Sequence, residues 1–79
     1  MINIYKLRLT ILQQEILRLL FMKIGKPLNQ RRIANLLDVS PPAIMKALPR
    51  LEKENLINIQ QDKESKRWSI ELIEIIQNH

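Results

Sequence analysis

Residues 29–54 read NQRRIANLLDVSPPAIMKALPRLEKE, and the fold turns on how they are parsed. Asn29 is a short polar residue placed just before a run with apolar positions at Ile33, Leu36 and Leu37, the spacing of a helix's buried face. That helix runs from Gln30 to Leu37, and Asp38-Val39 follows as a tight turn. Ser40 then caps another helix, with Pro41 at its first position, where the missing N–H costs nothing. Ile44, Ala47, Leu48 and Leu51 recur at helical spacing and face inward. The helix runs to about Glu54, and Asn55 takes the terminal position, where a left-handed backbone is usual. Pro49 is out of place there: it removes one helix hydrogen bond and its ring meets the carbonyl of Met45. The sequence predicts a kink at that point or an earlier end to regular helix.

Upstream, Thr10 and Gln13 have the spacing of a capping box, which opens a helix over 10–24. Leu12, Ile16, Leu19 and Leu20 make one apolar stripe on it, and Leu17, Phe21 and Ile24 a second. Gly25 ends the helix and Lys26-Pro27-Leu28 is a short extended link. Residues 1–9 alternate apolar and polar and form a short strand or an extended arm. Downstream the period changes to two. Leu56 to Gln60 and Arg67 to Glu71 are strands joined by the polar turn 61–66, a hairpin over 56–71. A short final helix over 72–79 carries Leu72, Ile73, Ile75 and Ile76. The chain is thus one α+β domain, mainly α: a winged helix-turn-helix with a three-helix core, a two-stranded wing and a short C-terminal helix.

Composition removes whole classes of function. A single domain of 79 residues buries only about 60% of its unfolded surface, so packing or oligomerisation must add stability. There is no cysteine, and the one histidine is His79. Disulfides, thiolate metal sites and histidine relays are therefore not expected, nor is any cofactor. With no glycine-rich phosphate loop, and with Glu52 and Glu54 reading as surface charge around Lys53, the chain is not expected to be an enzyme. The net charge of +5 favours a polyanionic partner. No signal peptide is visible, and the longest apolar run, Leu19 to Met22, is too short to cross a bilayer. The expected location is cytoplasmic, on the nucleoid, with no membrane partner.

The inward set on the third helix fixes what points away: Pro42, Met45, Lys46, Pro49, Arg50 and Lys53. Residues near the start of such a helix reach deepest into a major groove, which makes Pro41, Pro42, Met45 and Lys46 the groove candidates. Arg50 lies further along, at a phosphate or a groove edge. Base readout ordinarily uses arginine, asparagine or glutamine, so this face predicts modest selectivity with affinity dominated by phosphates. Gln30, Arg31 and Arg32 at the second helix, Ser40, and Lys63, Lys66 and Arg67 on the wing would supply those contacts. Trp68 is read as packing beneath the wing; stacking on a base or facing a partner chain is the other reading. Leu17, Phe21, Ile24, Ile73 and Ile76 exceed what one small core needs and form the expected homodimer interface, together with the N-terminal arm. Two third helices about 34 Å apart would read adjacent half-sites; another geometry would bridge two duplexes. The sequence leaves both open.

The run PLNQRRIANLLDVSPPAIMKALPRLEKENLINIQQDKESKRWSIEL resembles the winged-helix domain of MarR-like regulators and, more loosely, ArsR-like ones. NQRRIANLLDVSPPAI resembles the helix-turn-helix, LEKENLI the helix-to-strand junction, DKESKR the wing, and LTILQQEILRLL the first core helix. The resemblance covers roughly residues 9 to 72. It implies double-stranded DNA binding by the third helix and wing of a dimeric regulator. Two departures stand out: Asn55 where the junction usually has glycine, and Pro49 inside the third helix. The chain shows no counterpart of the long flanking helices that build the dimer interface and effector pocket of MarR-like proteins, so no small-molecule effector is expected. A winged helix that binds a protein within a larger assembly is the alternative.

Overall fold

The computed structural model describes residues 8–23, 26 and 28–73. Three helices precede a hairpin: α1 (Ile11–Met22), α2 (Gln30–Leu37), α3 (Pro41–Lys53), β1 (Ile57–Gln61) and β2 (Trp68–Leu72). This is the expected winged helix-turn-helix.

The capping box of α1 is closed in both directions. Thr10 Oγ1 accepts from the Gln13 N–H at 3.1 Å, and Gln13 Oε1 accepts from the Thr10 N–H at 2.9 Å. Gln13 does a second job. It is the buried polar residue among those described, and its Nε2 donates to the Ala47 carbonyl of α3 at 3.2 Å. Both ends of the amide are thereby satisfied, and α1 is tied to α3. Successive residues turn by about 100° around a helix, so Gln13, Ile16, Leu17 and Leu20 share one arc, and that arc is buried. This corrects the two-stripe reading. Leu17 is only 7% exposed and lies within the core, whereas Phe21 falls beside the buried arc and is exposed. Ile24, the third member of that stripe, and the proposed cap Gly25 lie outside the described residues, as do residues 1–7 and the isoleucines at 75 and 76.

Asn29 Oδ1 caps α2 by accepting from the Arg32 N–H at 2.7 Å. The helix buries Ile33 and Ala34, while Leu36 is exposed, against expectation. Ile33, Leu37, Gln30 and Ala34 span the inward arc, and Leu36 projects beyond its edge. Two left-handed residues close the helices. After α2, Asp38 has φ 56°, and the Val39 N–H returns to the Ala34 carbonyl at 3.0 Å. After α3, Asn55 has φ 58°, and the Leu56 N–H returns to the Leu51 carbonyl at 3.0 Å. Each is a Schellman closure, in which asparagine or aspartate stands in for glycine. Pro49 does not shorten α3, which continues to Lys53 with the proline ring on its exposed side.

In the hairpin Ile57 pairs with Leu72, Ile59 with Ile70 and Gln61 with Trp68. Directly opposed residues share a face, so this set faces the core and Asn58, Gln60, Ser69 and Glu71 form the other side. Leu28 adds a one-residue third strand. Its N–H donates to the Ile70 carbonyl at 3.2 Å, and Ile70 returns the bond at 2.6 Å. Ile16, Ile33, Ile44, Leu51, Leu56, Ile57 and Ile70 are fully buried where the layers meet. The final helix is corrected at its start: Leu72 belongs to β2, and the Ile73 N–H extends the pairing to the Leu56 carbonyl at 3.1 Å. Residues 74–79 lie outside the described part. Trp68 shares the core-facing side of β2 but lies beyond the core's edge, and it is 53% exposed, not packed beneath the wing.

Candidate nucleic-acid interface

Residues 28–30 join the three elements that carry the predicted contacts. Leu28 is bonded to the wing strand at Ile70. Two residues on, Gln30 Nε2 donates to the Pro41 carbonyl at the start of α3, at 3.3 Å. The starts of α2 and α3 and the middle of wing strand β2 are thus held together by backbone and amide bonds. Gln30 was expected at a phosphate; its side chain is half-buried and spent on this brace. Arg31 and Arg32 are exposed beside it.

Ser40 Oγ accepts from the Ala43 N–H at 3.3 Å, as its capping role requires. Pro41, Pro42, Met45, Lys46, Pro49, Arg50 and Lys53 are all exposed, and Ile44, Ala47, Leu48 and Leu51 are buried. The outward face of α3 therefore matches expectation, and the helix turn divides it into two strips. Pro42, Met45 and Pro49 form an apolar strip. Lys46, Arg50 and Lys53 form a cationic one. Arg50 is not an unengaged cation: its Nε lies 3.5 Å from Glu54 Oε1, one turn along.

Lys63, Lys66 and Arg67 are exposed at the wing tip, and the residue that shapes this tip is one the sequence reading passed over. Asp62 accepts from the Ser65 hydroxyl at 2.7 Å and from the N–H groups of Glu64 and Ser65 at 3.3 and 3.4 Å. Its own N–H donates to the Arg67 carbonyl, and its carbonyl accepts from Lys66, both at 2.8 Å. Gln61 Nε2 donates to the Lys66 carbonyl at 3.0 Å, and Lys66 takes φ 64°. The Ser65 hydroxyl bond, followed by those from Glu64 and Ser65, holds the Asp62 carboxyl below its ordinary pKa. An aspartate three residues before a serine in a polar turn is the signal that could have found it.

Charge is unevenly spread. Up to Leu37 there are seven basic residues and one acidic; from Asp38 onward there are six basic and seven acidic. The excess positive charge thus sits with the N-terminal arm, α1 and α2, and not with α3 and the wing. Among the described residues no group of three metal-ligating side chains occurs, and no helix is long and apolar enough to span a membrane.

A tri-helical core, a groove-width third helix with an exposed outward face and a basic hairpin define a winged helix-turn-helix of the DNA-binding class. Residues 9–68 match the model of the MarR family, and the chain belongs to that family. No curated protein matches. Among solved structures the chain is similar to MepR, a transcription regulator of the Staphylococcus aureus multidrug efflux pump MepA (25% identity, TM-score 0.80, covering 95% of this chain and 55% of that one). It is similar also to S. aureus MepR in a complex with DNA (25% identity, TM-score 0.81, 94% and 60%). A third is the adhesin competence repressor AdcR of Streptococcus pyogenes (28% identity, TM-score 0.74, 89% and 51%). The chain spans about half the length of the structures it matches.

Proposed function

We propose that this chain is a non-catalytic, double-stranded DNA-binding regulator that sets α3 against the major groove and grips the backbone with α2 and the wing. The observation that carries this reading is the brace at residues 28–30, which holds three cation-bearing elements in one fixed relation. MepR, a fold relative, has been captured with DNA. Arg31 and Arg32 supply the backbone grip, Lys46 and Arg50 the flank of α3, and Lys63, Lys66 and Arg67 the wing. Selectivity is modest, because no asparagine, glutamine or unengaged arginine stands at the leading edge of α3.

The binding unit is a homodimer. Leu17 is withdrawn from its interface, because its side chain is used in the core. The apolar groups left uncovered on α1 are Ile11, 75% exposed, and Met22, 70% exposed, on the side opposite the core, with Phe21 on the flank. Sedimentation at high concentration is expected to give a dimer that Ile11→Glu with Met22→Glu dissociates; a monomeric parent chain would refute pairing.

Duplex affinity measured against salt tests the main reading. A steep linear fall of log K with log salt is expected. No duplex binding at low salt, together with a stoichiometric protein partner that DNA does not displace, would instead establish the interaction-module reading.

A further inference from the structure

We propose that the start of α3 selects duplexes by the C5-methyl groups of thymine in the major groove, through Pro41, Pro42 and Met45. The inference rests on the DNA-binding reading above and gives it a specificity.

A helix ordinarily begins with four N–H groups that lack partners within it. At the start of α3 only the Ser40 N–H is left without a partner among the described residues. Pro41 and Pro42 carry no N–H. The Ala43 N–H is shared between Ser40 Oγ at 3.3 Å and the Ser40 carbonyl at 3.1 Å. The Ile44 N–H goes to the same carbonyl at 3.4 Å. The side chains at this end are as bare of donors. Pro41 and Pro42 are exposed, and Met45 is 60% exposed. Pro49 extends the same apolar strip by a turn.

Guanine and adenine present acceptors in the major groove, cytosine an amino donor, and thymine a carbonyl and a methyl. Purine acceptors brought against the apolar strip would lose water and gain no hydrogen bond, which is disfavoured. The thymine methyl is the apolar feature of the groove, and it alone gains from this contact. Proline is rigid and methionine adaptable. The strip therefore favours thymine-bearing steps without demanding one fixed position. Burying one methyl is worth about fourfold in affinity.

The test uses the intact chain and paired duplexes. Alternating adenine–thymine DNA is compared with the same duplex carrying deoxyuridine, and a guanine–cytosine duplex with its 5-methylcytosine counterpart. Thymine over uracil is expected to favour binding by about fourfold per contacted methyl, and 5-methylcytosine over cytosine likewise. Met45→Ala and Pro42→Ala, at exposed sites where alanine suits a helix, are expected to bring both ratios toward one. Arg31→Ala is expected to weaken all four duplexes alike. Equal binding of thymine and uracil duplexes overturns the proposal and leaves DNA binding intact. Ratios that survive both α3 substitutions overturn its assignment to these residues. Failure to bind any duplex at low salt overturns the DNA reading and this one with it.

Discussion

At the start of α2 the N–H groups of Gln30 and Arg31 have no partner among the described residues, and two exposed arginines follow. At the start of α3 two prolines remove the N–H groups, Ser40 takes the next two, and no cation appears before Lys46. The two helices are joined by the Gln30–Pro41 bond, yet one start offers several donors and two cations and the other a single N–H and no cation. Holding DNA and discriminating among its sequences are separable tasks. On the proposed DNA-binding reading, the first would fall to α2 and the second to α3.

The sharpest way to break this contrast is to remove the charge at α2. Arg31→Ala with Arg32→Ala is expected to weaken duplex binding roughly 10- to 100-fold at moderate salt, equally for all sequences, and to lower the salt slope by about 2. A slope unchanged in fluorescence-anisotropy titrations would place the grip elsewhere. Next in size is Pro49→Ala. An exposed proline inside a helix costs up to about 3 kcal/mol, so the alanine chain is expected to be more stable in urea unfolding by about 1–3 kcal/mol. Asn29→Ala and Ser40→Ala compare the two starts directly, and each is expected to cost about 1 kcal/mol by the same measurement. If the wing tip faces phosphates as proposed, Glu64→Gln removes a like charge from it and is expected to tighten binding by about two- to threefold; unchanged or weaker binding would show that Glu64 does not face DNA. The smallest effect is local. Because the Asp62 carboxyl is held below its ordinary pKa, its bonds to Ser65 and Glu64 are present above the usual carboxylate range and lost as pH falls through its lowered value. Measured against the intrinsic rate at each pH, amide protection at Glu64 and Ser65 is expected to fall there, and to be lost at every pH in Asp62→Ala.

Much of the fold could be read from residues whose effect is local. Thr10, Asn29 and Ser40 cap helices because a short oxygen-bearing side chain reaches N–H groups a few residues on, whatever surrounds it. The outward face of α3 was legible for a related reason: Ile44, Leu48 and Leu51 leave only one side to bury. What escaped depends on partners distant in sequence. Periodicity cannot say which of two adjacent stripes on α1 meets α3, so Leu17 was misplaced. The Gln13–Ala47 bond spans 34 residues, and a one-residue strand such as Leu28 has no period to detect. Trp68 keeps the alternation of β2, but alternation does not show where the core stops. Gln30 reads as a donor for phosphate because its partner, the Pro41 carbonyl, is visible only in the folded chain, whereas the Arg50–Glu54 pair lies one helical turn apart and could have been read from the sequence.

The pairing of Leu28 with Ile70 makes the wing and the helix-turn-helix a caliper with a locked screw. A hairpin attached only at its base can swing to meet whatever groove it finds. One fastened across its middle to the entrance of α2 cannot, and the gap between its tip and α3 becomes a fixed gauge. On the proposed DNA-binding reading, a duplex would have to bend or narrow to fit, and the mechanical softness of its sequence would enter the affinity.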